Sequence, residues 1–272
     1  MLECVEKNNK KVTNVRSIDI HNHIIFGLDD GAKTEDETIQ MLKQAADDGI
    51  EKIILTPHYV ESKYENTKDV IEKKKEAIDQ LIEEHHIPIE VYYGCEIYMS
   101  DDVLDKVNEG ELMTMNGTKY VLVETKRSRH FSKISFDDAL YNFRVDGYYP
   151  IVAHPERYQM VYENPNRVYD WIEDGCYIQV NATSLLDPKK PSFKVAKKLL
   201  DHHLVHFVAT DAHDPKYRPA VLSDAYQFVK KRYGADYAEL LFYTNPLKLI
   251  NGEQISTNGA KPVKKKRFFF FF

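Results

Sequence analysis

Cysteine is scarce in this chain: Cys4, Cys95 and Cys176 are the three in 272 residues. An odd number with no C-x-x-C spacing argues against a disulfide framework and for a reducing compartment. No cysteine stands in a C-x5-R pattern, which excludes the chemistry of the cysteine-dependent phosphatases. Long hydrophobic runs are missing too. None approaches the ~20 apolar residues of a membrane span, and the polar start MLECVEKNNKKVTNVR carries no signal-peptide core. These absences predict a cytoplasmic protein with no stable membrane insertion. A basic excess is also lacking: the formal net charge is −6, which gives no nucleic-acid footprint. There is no internal repeat and no interior linker. With 43% hydrophobic and 29% charged residues, the length suits one soluble domain of barrel size.

What the chain does have is a recurring junction. Apolar, β-branched runs end in a residue type that binds metals. The first, SIDIHNHIIFGLDD, runs from Ser17 to Asp30 and delivers His21 and His23, then Asp29, Asp30 and the turn residue Gly31. On an extended backbone, residues two apart point to one side. KIILTPHY ends at His58, IEVYYGCEI carries Glu96, and KYVLVET ends at Glu124. YYPIVAHPER delivers His154, and LVHFVATDAH delivers Asp211 and His213. Of seven such runs, only Cys176–Asn181 brings no imidazole or carboxylate.

Helical patterns lie between the runs. Thr34–Gly49 opens with a capping box, Thr34 and Glu37, and stops at glycine. Asn66–His86, Asp101–Glu109, Ser135–Gly147, Asn166–Gly175, Pro191–His202 and Pro219–Tyr233 supply the others, with Pro191 and Pro219 placed for first turns. Strand–helix alternation means parallel strands and right-handed crossovers. Seven repeats predict an α/β fold close to a closed barrel, whose site lies at the C-terminal strand ends. Residues 1–16 read as a polar extension, 17–252 as the domain and 253–272 as a disordered tail. The end of that tail, KPVKKKRFFFFF, also has the makings of a weak membrane-surface contact.

A single histidine at a strand end is more often structural than a ligand. The joint pattern argues otherwise, because clustered carboxylates and imidazoles repel or desolvate at high cost unless cations resolve the conflict. The expectation is a polynuclear centre. Its nitrogen and oxygen donors suit Mn²⁺, Fe²⁺ or Zn²⁺ better than a structural zinc. Paired ions clamp the attacking and leaving oxygens of phosphoryl transfer. Arg157 in HPER and Arg218 in HDPKYR offer planar forks matched to phosphate oxygens. The loop Lys126–Lys133 reads as solvated. Cys95 should face away from Glu96, into the core. His85, His86, His202, His203 and His206 read as surface or structural.

DIHNHI, DDG, TPHY, GCEIY, VLVET, AHPERY and ATDAH together resemble the polymerase-and-histidinol-phosphatase (PHP) superfamily, and within it the manganese-dependent protein-tyrosine phosphatases of the CpsB/CapC type. The resemblance spans Ile18 to Gly252 and every expected ligand position is filled. It implies a distorted seven-stranded TIM-like (β/α)7 barrel with three ions. One would be held by His21, His23, Glu96 and Asp211. A second would take Glu96 as a bridge with Glu124 and His154, and a third Asp30, His58 and His213. Arg157 and Arg218 would bind phosphate. The expected reaction is hydrolysis of protein phosphotyrosine by a metal-bridging hydroxide, with Asp214 a candidate general acid on position alone. The implied partner is a membrane-associated tyrosine autokinase of capsule or exopolysaccharide synthesis. The metal remains open among Mn, Fe, Zn and Co. Rival readings are a small-molecule phosphatase such as a histidinol-phosphatase, a phosphodiesterase, and a non-catalytic metal-binding module.

Overall fold

The structure is a computed structural model that describes residues 15–125 and 135–263. Strands and helices alternate as expected. The strands are β1 (Ser17–Asp19), β2 (Ile50–Leu55), β3 (His58–Val60), β4 (Tyr64–Glu65), β5 (Glu90–Tyr93), β6 (Glu96–Tyr98), β7 (Tyr120–Glu124), β8 (Tyr149–Ala153), β9 (Tyr177–Asn181) and β10 (Phe207–Ala209). The helices are α1 (Glu35–Asp48), α2 (Lys68–Glu84), α3 (Val103–Asn108), α4 (Phe136–Val145), α5 (Gln159–Glu163), α6 (Asn166–Glu173), α7 (Pro191–Asp201), α8 (Ser223–Tyr233), α9 (Ala235–Glu239) and α10 (Asn245–Ile250). The basic loop Lys126–Lys133 and the phenylalanine run lie outside the described residues.

Local chemistry sets most helix starts. Thr34 caps α1 by accepting from the Glu37 amide, and the Glu37 carboxylate accepts from Lys33 N. Ser135 caps α4 through the Asp138 amide, and Pro191 opens α7. One start differs from expectation. The last helix of the pattern begins at Ser223, not Pro219. Asp48, in the last turn of α1, accepts from Leu222 N at 2.6 Å and Ser223 N at 2.8 Å. A carboxylate 174 residues away therefore fixes where α8 begins.

The strands form two sheets of parallel neighbours, β1-β2-β5 and β10-β9-β8-β7-β6-β3-β4, with β3–β4 an antiparallel hairpin. Two runs that read as single strands are each divided. Pro57 has no N–H to extend the ladder, so residues 50–60 pass from one sheet to the other. Residues 90–98 do the same at Gly94 and Cys95, with Gly94 N bonded to Leu55 O and Glu96 N to Pro57 O. At the far edge, Asn22 and Ala212 form an isolated parallel bridge, with Asp211 N to His21 O and His23 N to Ala212 O each 2.8 Å. The fold is mixed α/β. The single closed seven-stranded barrel expected from the sequence is not formed as a continuous ladder among the described residues.

Side-chain alternation sorts the strands onto two cores. Val121, Val123, Val152, Ile178, Val180 and Val208 pack outward with the helices. Tyr120, Leu122, Ile151, Ala153, Tyr177, Phe207 and Ala209 pack inward on one another. The next inward positions along β7 and β10 are Glu124 and Asp211. Parity therefore carries apolar residues to the floor and acids to the rim of the same interior.

The folded part reaches beyond the expected boundary at 252. Tyr120 Oη donates to Glu253 O at 2.7 Å and Tyr177 Oη to Ile255 O at 2.9 Å, and Ile255 is buried. Buried phenols need acceptors, and this segment supplies them. Val263 N donates to Asn166 Oδ1.

His206 is buried, not on the surface. Its Nδ1 accepts from Ile178 N at 3.1 Å, and its ring meets Tyr177 edge-on. Burial pushes its pKa from 6.5 down to about 3. A depressed histidine stabilises the fold above 6.5, and that contribution is lost as pH falls toward 3, at about 1.4 kcal/mol per pH unit. His206→Asn keeps an acceptor for Ile178 without the titration. Denaturant unfolding from pH 7 to pH 5 is expected to show wild type losing stability more steeply than this variant. Parallel slopes would remove the assignment.

Candidate metal centre and phosphate cleft

Glu96 is the hub. Its side chain is fully buried at the start of β6, while Cys95 beside it faces the outer core. Glu96 Oε2 lies 2.9 Å from His58 Nδ1, 3.1 Å from His21 Nε2 and 3.2 Å from His23 Nε2. Glu96 Oε1 lies 3.1 Å from His154 Nε2. Asp211 Oδ1 stands 3.7 and 3.6 Å from His21 and His23 Nε2. Glu124 reaches toward His58 at 3.5 Å and His154 at 3.6 Å. Asp30, exposed at the rim, lies 3.5 Å from His58 and 3.7 Å from His213. All nine candidate ligands thus converge.

Three ligand groups have donor atoms within 4.8 Å of one another: His23, Asp30, His58 and His213; His21, His23 and Glu96; and His58, Glu96 and Glu124. All three differ from the expected sets, the second by lacking Asp211. His23 joins the outer group, and His58 stands with Glu96 and Glu124, where His154 was expected. His154 nevertheless touches both acids.

The chemistry of these atoms fits cations. His21 Nε2, His23 Nε2, His58 Nδ1 and Glu96 Oε2 are buried, yet none makes a hydrogen bond of acceptable geometry among the described residues. Their lone pairs face common space. Such groups are costly to bury unpaired, and nitrogen and carboxylate donors in this mix suit divalent metals. Electrostatics agree. Burial alone would raise the Glu96 carboxyl, but His21 and His58 hold it well below the ordinary range. Burial opposes protonation of His21 and His58, yet the adjoining acids, Glu96 first, carry them up to about 9 and about 10. Protons here do what cations would do.

Supporting residues hold the ligands, and several were missed in the sequence. Asp29 Oδ2 lies 2.7 Å from His23 Nδ1 and also accepts from His58 N. A hydrogen bond at Nδ1 leaves Nε2 free to bind. Gly31 N donates to Asp29 Oδ1, and a Cβ on Gly31 would sit 2.0 Å from His23 O, so only glycine allows this close approach. Asp19 accepts from Thr210 N and Oγ1 and from Asn22, clamping the end of β1 to the end of β10. Burial raises its carboxyl to about 6. The signal for Asp29 was adjacency to Asp30. Asp19 and Thr210 gave none, since their contact spans 191 residues.

Two ligands sit on strained backbone. His154 has φ 36° and Asp211 φ 53°, both left-handed. Such residues cost roughly 1–3 kcal/mol each and persist where surroundings over-determine them. At His154 the strain has a clear effect. Alternation after Ala153 would turn it outward; the left-handed bend brings its ring to Glu96.

Arg157 Nη1 and Arg218 Nη2 meet on Asp211 Oδ2, at 2.7 and 2.6 Å. Both line a cleft of about 1100 Å³ that Tyr64, Tyr98 and Phe136 also line. Asp214 is not brought to this cleft. Its Oδ1 accepts from Lys216 N and Tyr217 N, which ties it into a turn. Cys95 and Cys176 are buried, and burial pushes both thiols up, Cys176 to about 12. Neither is poised as a nucleophile.

Comparison with known proteins gives the family. The chain is 35% identical to the tyrosine-protein phosphatase CpsB of Streptococcus pneumoniae over 244 residues, 88% of this chain and all of that one. It is 31% identical to the tyrosine-protein phosphatase YwqE of Bacillus subtilis over 256 residues, 94% of this chain and all of that one. Among solved structures it superposes with a TM-score of 0.85, at 31% identity, on one from the study of YwqE and CpsB as metal-dependent tyrosine phosphatases, covering 91% of this chain and 100% of that. Histidinol phosphate phosphatase of Lactococcus lactis matches at a TM-score of 0.51 and 16% identity, over 82% of this chain and 94% of that, which shows shared fold alone. Residues 17–251 match the family model for capsular polysaccharide synthesis, CpsB/CapC. The chain belongs to the CpsB/CapC family.

Proposed function

We propose that this protein hydrolyses phosphotyrosine in proteins, using divalent cations held at the strand ends. The observation that carries the reading is one cleft lined both by two guanidinium groups and by the candidate donors Asp30, His58, Glu124, His154, Asp211 and His213, with the buried Glu96 Oε2 2.9 Å behind His58 Nδ1. Relatives with matching length are named tyrosine-protein phosphatases. The assignment of ligands is His21, His23, Glu96 and Asp211 for one ion, Glu96, Glu124 and His154 for a second, and Asp30, His58 and His213 for a third. His58 is close enough to Glu124 to share the second. Manganese is the metal we favour; iron, zinc and cobalt suit the same donors.

When bound, such ions lower the pKa of water and take up phosphoryl charge. The protein's own groups do the rest. Arg157 and Arg218 pair with Asp211 in this structure. Both lie on the cleft side of that carboxylate, where their N–H forks match the oxygens of a phosphate. A tyrosine leaves as a phenolate with a parent pKa of ~10, which demands less acid assistance than an alkyl alcohol. That agrees with Asp214 being engaged elsewhere. The buried Glu96 and its imidazoles exclude bulk water, so charges act at close to full strength.

The partner we favour is the tyrosine-rich tail of a membrane-associated autokinase in capsule or exopolysaccharide synthesis, met from the cytoplasm. No helix among the described residues is long and apolar enough to cross a membrane. For the fold we favour a distorted seven-stranded barrel, interrupted at Pro57 and Gly94 and closed by the Asn22–Ala212 bridge with the Asp19–Thr210 contacts beside it.

Phosphate release from a phosphotyrosine peptide and from histidinol phosphate, after chelation and again with Mn²⁺, tests the reading. Mn²⁺-restored preference for the peptide is expected; preference for histidinol phosphate would overturn the substrate. Glu124→Ala and His154→Ala are expected to stay folded, bind less metal and lose turnover. Full activity in either would show that the second ion is misassigned. Arg157→Ala and Arg218→Ala should each lower kcat/KM by on the order of 10² with bound metal unchanged. Loss of metal in these variants would make the arginines structural.

A further inference from the structure

β9 is the strand that ends without a metal-ligand residue type, yet its inward side chains above Tyr177 are two buried amides. Gln179 is 0% exposed and Asn181 3%. A polar side chain in the interior of a strand requires partners, and the partners here belong to the metal centre. Gln179 Oε1 lies 3.0 Å from His21 Nδ1 and 3.2 Å from His154 N. Gln179 Nε2 donates to Asn181 Oδ1 at 2.9 Å, and Asn181 Nδ2 donates to Asp211 Oδ2 at 2.6 Å.

We infer that Gln179 and Asn181 are positioning residues that fix the tautomer of His21 and the orientation of Asp211, and so govern binding of the ion assigned to that pair. The logic starts from one backbone group. A main-chain N–H can only donate, so the Gln179 atom facing His154 N is the carbonyl oxygen. That excludes the flipped amide. The same oxygen faces His21 Nδ1, which must then carry the proton. His21 Nε2 is left with its lone pair toward Glu96, as a ligand requires.

The order propagates. With Gln179 Nε2 committed as a donor, Asn181 must present its oxygen to it and its NH₂ to Asp211. Arg157 and Arg218 donate to the same Asp211 oxygen, Oδ2. The donors of Asn181, Arg157 and Arg218 thus all fall on Oδ2, and Oδ1 is left facing His21 and His23 Nε2 at 3.7 and 3.6 Å and His213 Nδ1 at 3.5 Å. Glu156 Oε1 accepts from Asn181 N at 3.1 Å and holds the end of the strand in place. One main-chain N–H, on the strained residue His154, thereby sets two amides, one imidazole and one carboxylate.

The inference rests on the ion assignment above. It is tested by titrating Mn²⁺ into chelated protein by calorimetry, with bound manganese counted by elemental analysis. Gln179→Met keeps the length of the side chain and removes both polar atoms. It is expected to weaken one class of sites by about 10–100-fold and leave the others unchanged. Gln179→Glu keeps an acceptor for both N–H groups but loses the donor to Asn181, so it should recover the part of that loss that passes through His21. A structural amide would instead lower melting temperature and leave Mn²⁺ affinity and count as in wild type, which would overturn the inference. Equal weakening in Met and Glu variants would also overturn it. Should Gln179→Met fail to fold, Asn181→Ser, which removes the donor to Asp211 together with the amide oxygen that accepts from Gln179 Nε2, carries the same expectation at the same sites. A wild-type chain that binds no manganese would instead refute the ion assignment.

Discussion

One fully buried carboxylate, Glu96, faces four imidazoles, and the rest of the molecule is arranged around that crowding. An unpaired carboxylate in an apolar interior would be neutralised by a rise in its pKa. Here the imidazoles hold it ionised, and several of their ring nitrogens remain without a well-formed hydrogen bond among the described residues. Such a cluster is stable only with added positive charge, as protons or as metal ions. Its function follows from that same requirement, since the charge that stabilises the ligands is also the charge a phosphoryl group needs.

The fold meets the requirement by rigidity. The candidate ligands hang from the ends of strands whose lower residues interlock as an inner core, Tyr120, Tyr177 and Phe207 among them. A second layer of hydrogen bonds then fixes three of the five rings. Asp29 holds His23, Gln179 holds His21, and the Asp211 main-chain carbonyl lies 3.0 Å from His213 Nδ1. The strained backbone at His154 and Asp211 is sustained by the same contacts, through His154 N to Gln179 and Asp211 N to His21 O. At His154 strain and ligation coincide because a left-handed turn re-aims a side chain that strand parity would send elsewhere.

Much of this was legible in the residues. Helix caps at Thr34 and Ser135 and the first-turn Pro191 are local chemistry, readable within four positions. The cap of α8 was not, because Asp48 lies on another helix. The segment after 252 looked like a loose end, and it is held by phenols of β7 and β9 that no local pattern announces. The runs ending at His58 and Glu96 each read as one strand; Pro57 and the turn at Gly94 divide them between two sheets.

The sequence by itself determined the donor set. Residue type decides what can bind a cation, and spacing after apolar runs decides that such residues gather at strand ends. Tertiary structure alone decided which donors share a point in space. It put His58 beside Glu124, led both arginines to Asp211, tied Asp214 into a turn, and made β9 a support for its neighbours' ligands. The physical reason is range. Caps, parity and turn chemistry act over a few residues and leave a mark in the sequence, whereas the geometry of a metal centre is a sum of contacts between strands far apart along the chain.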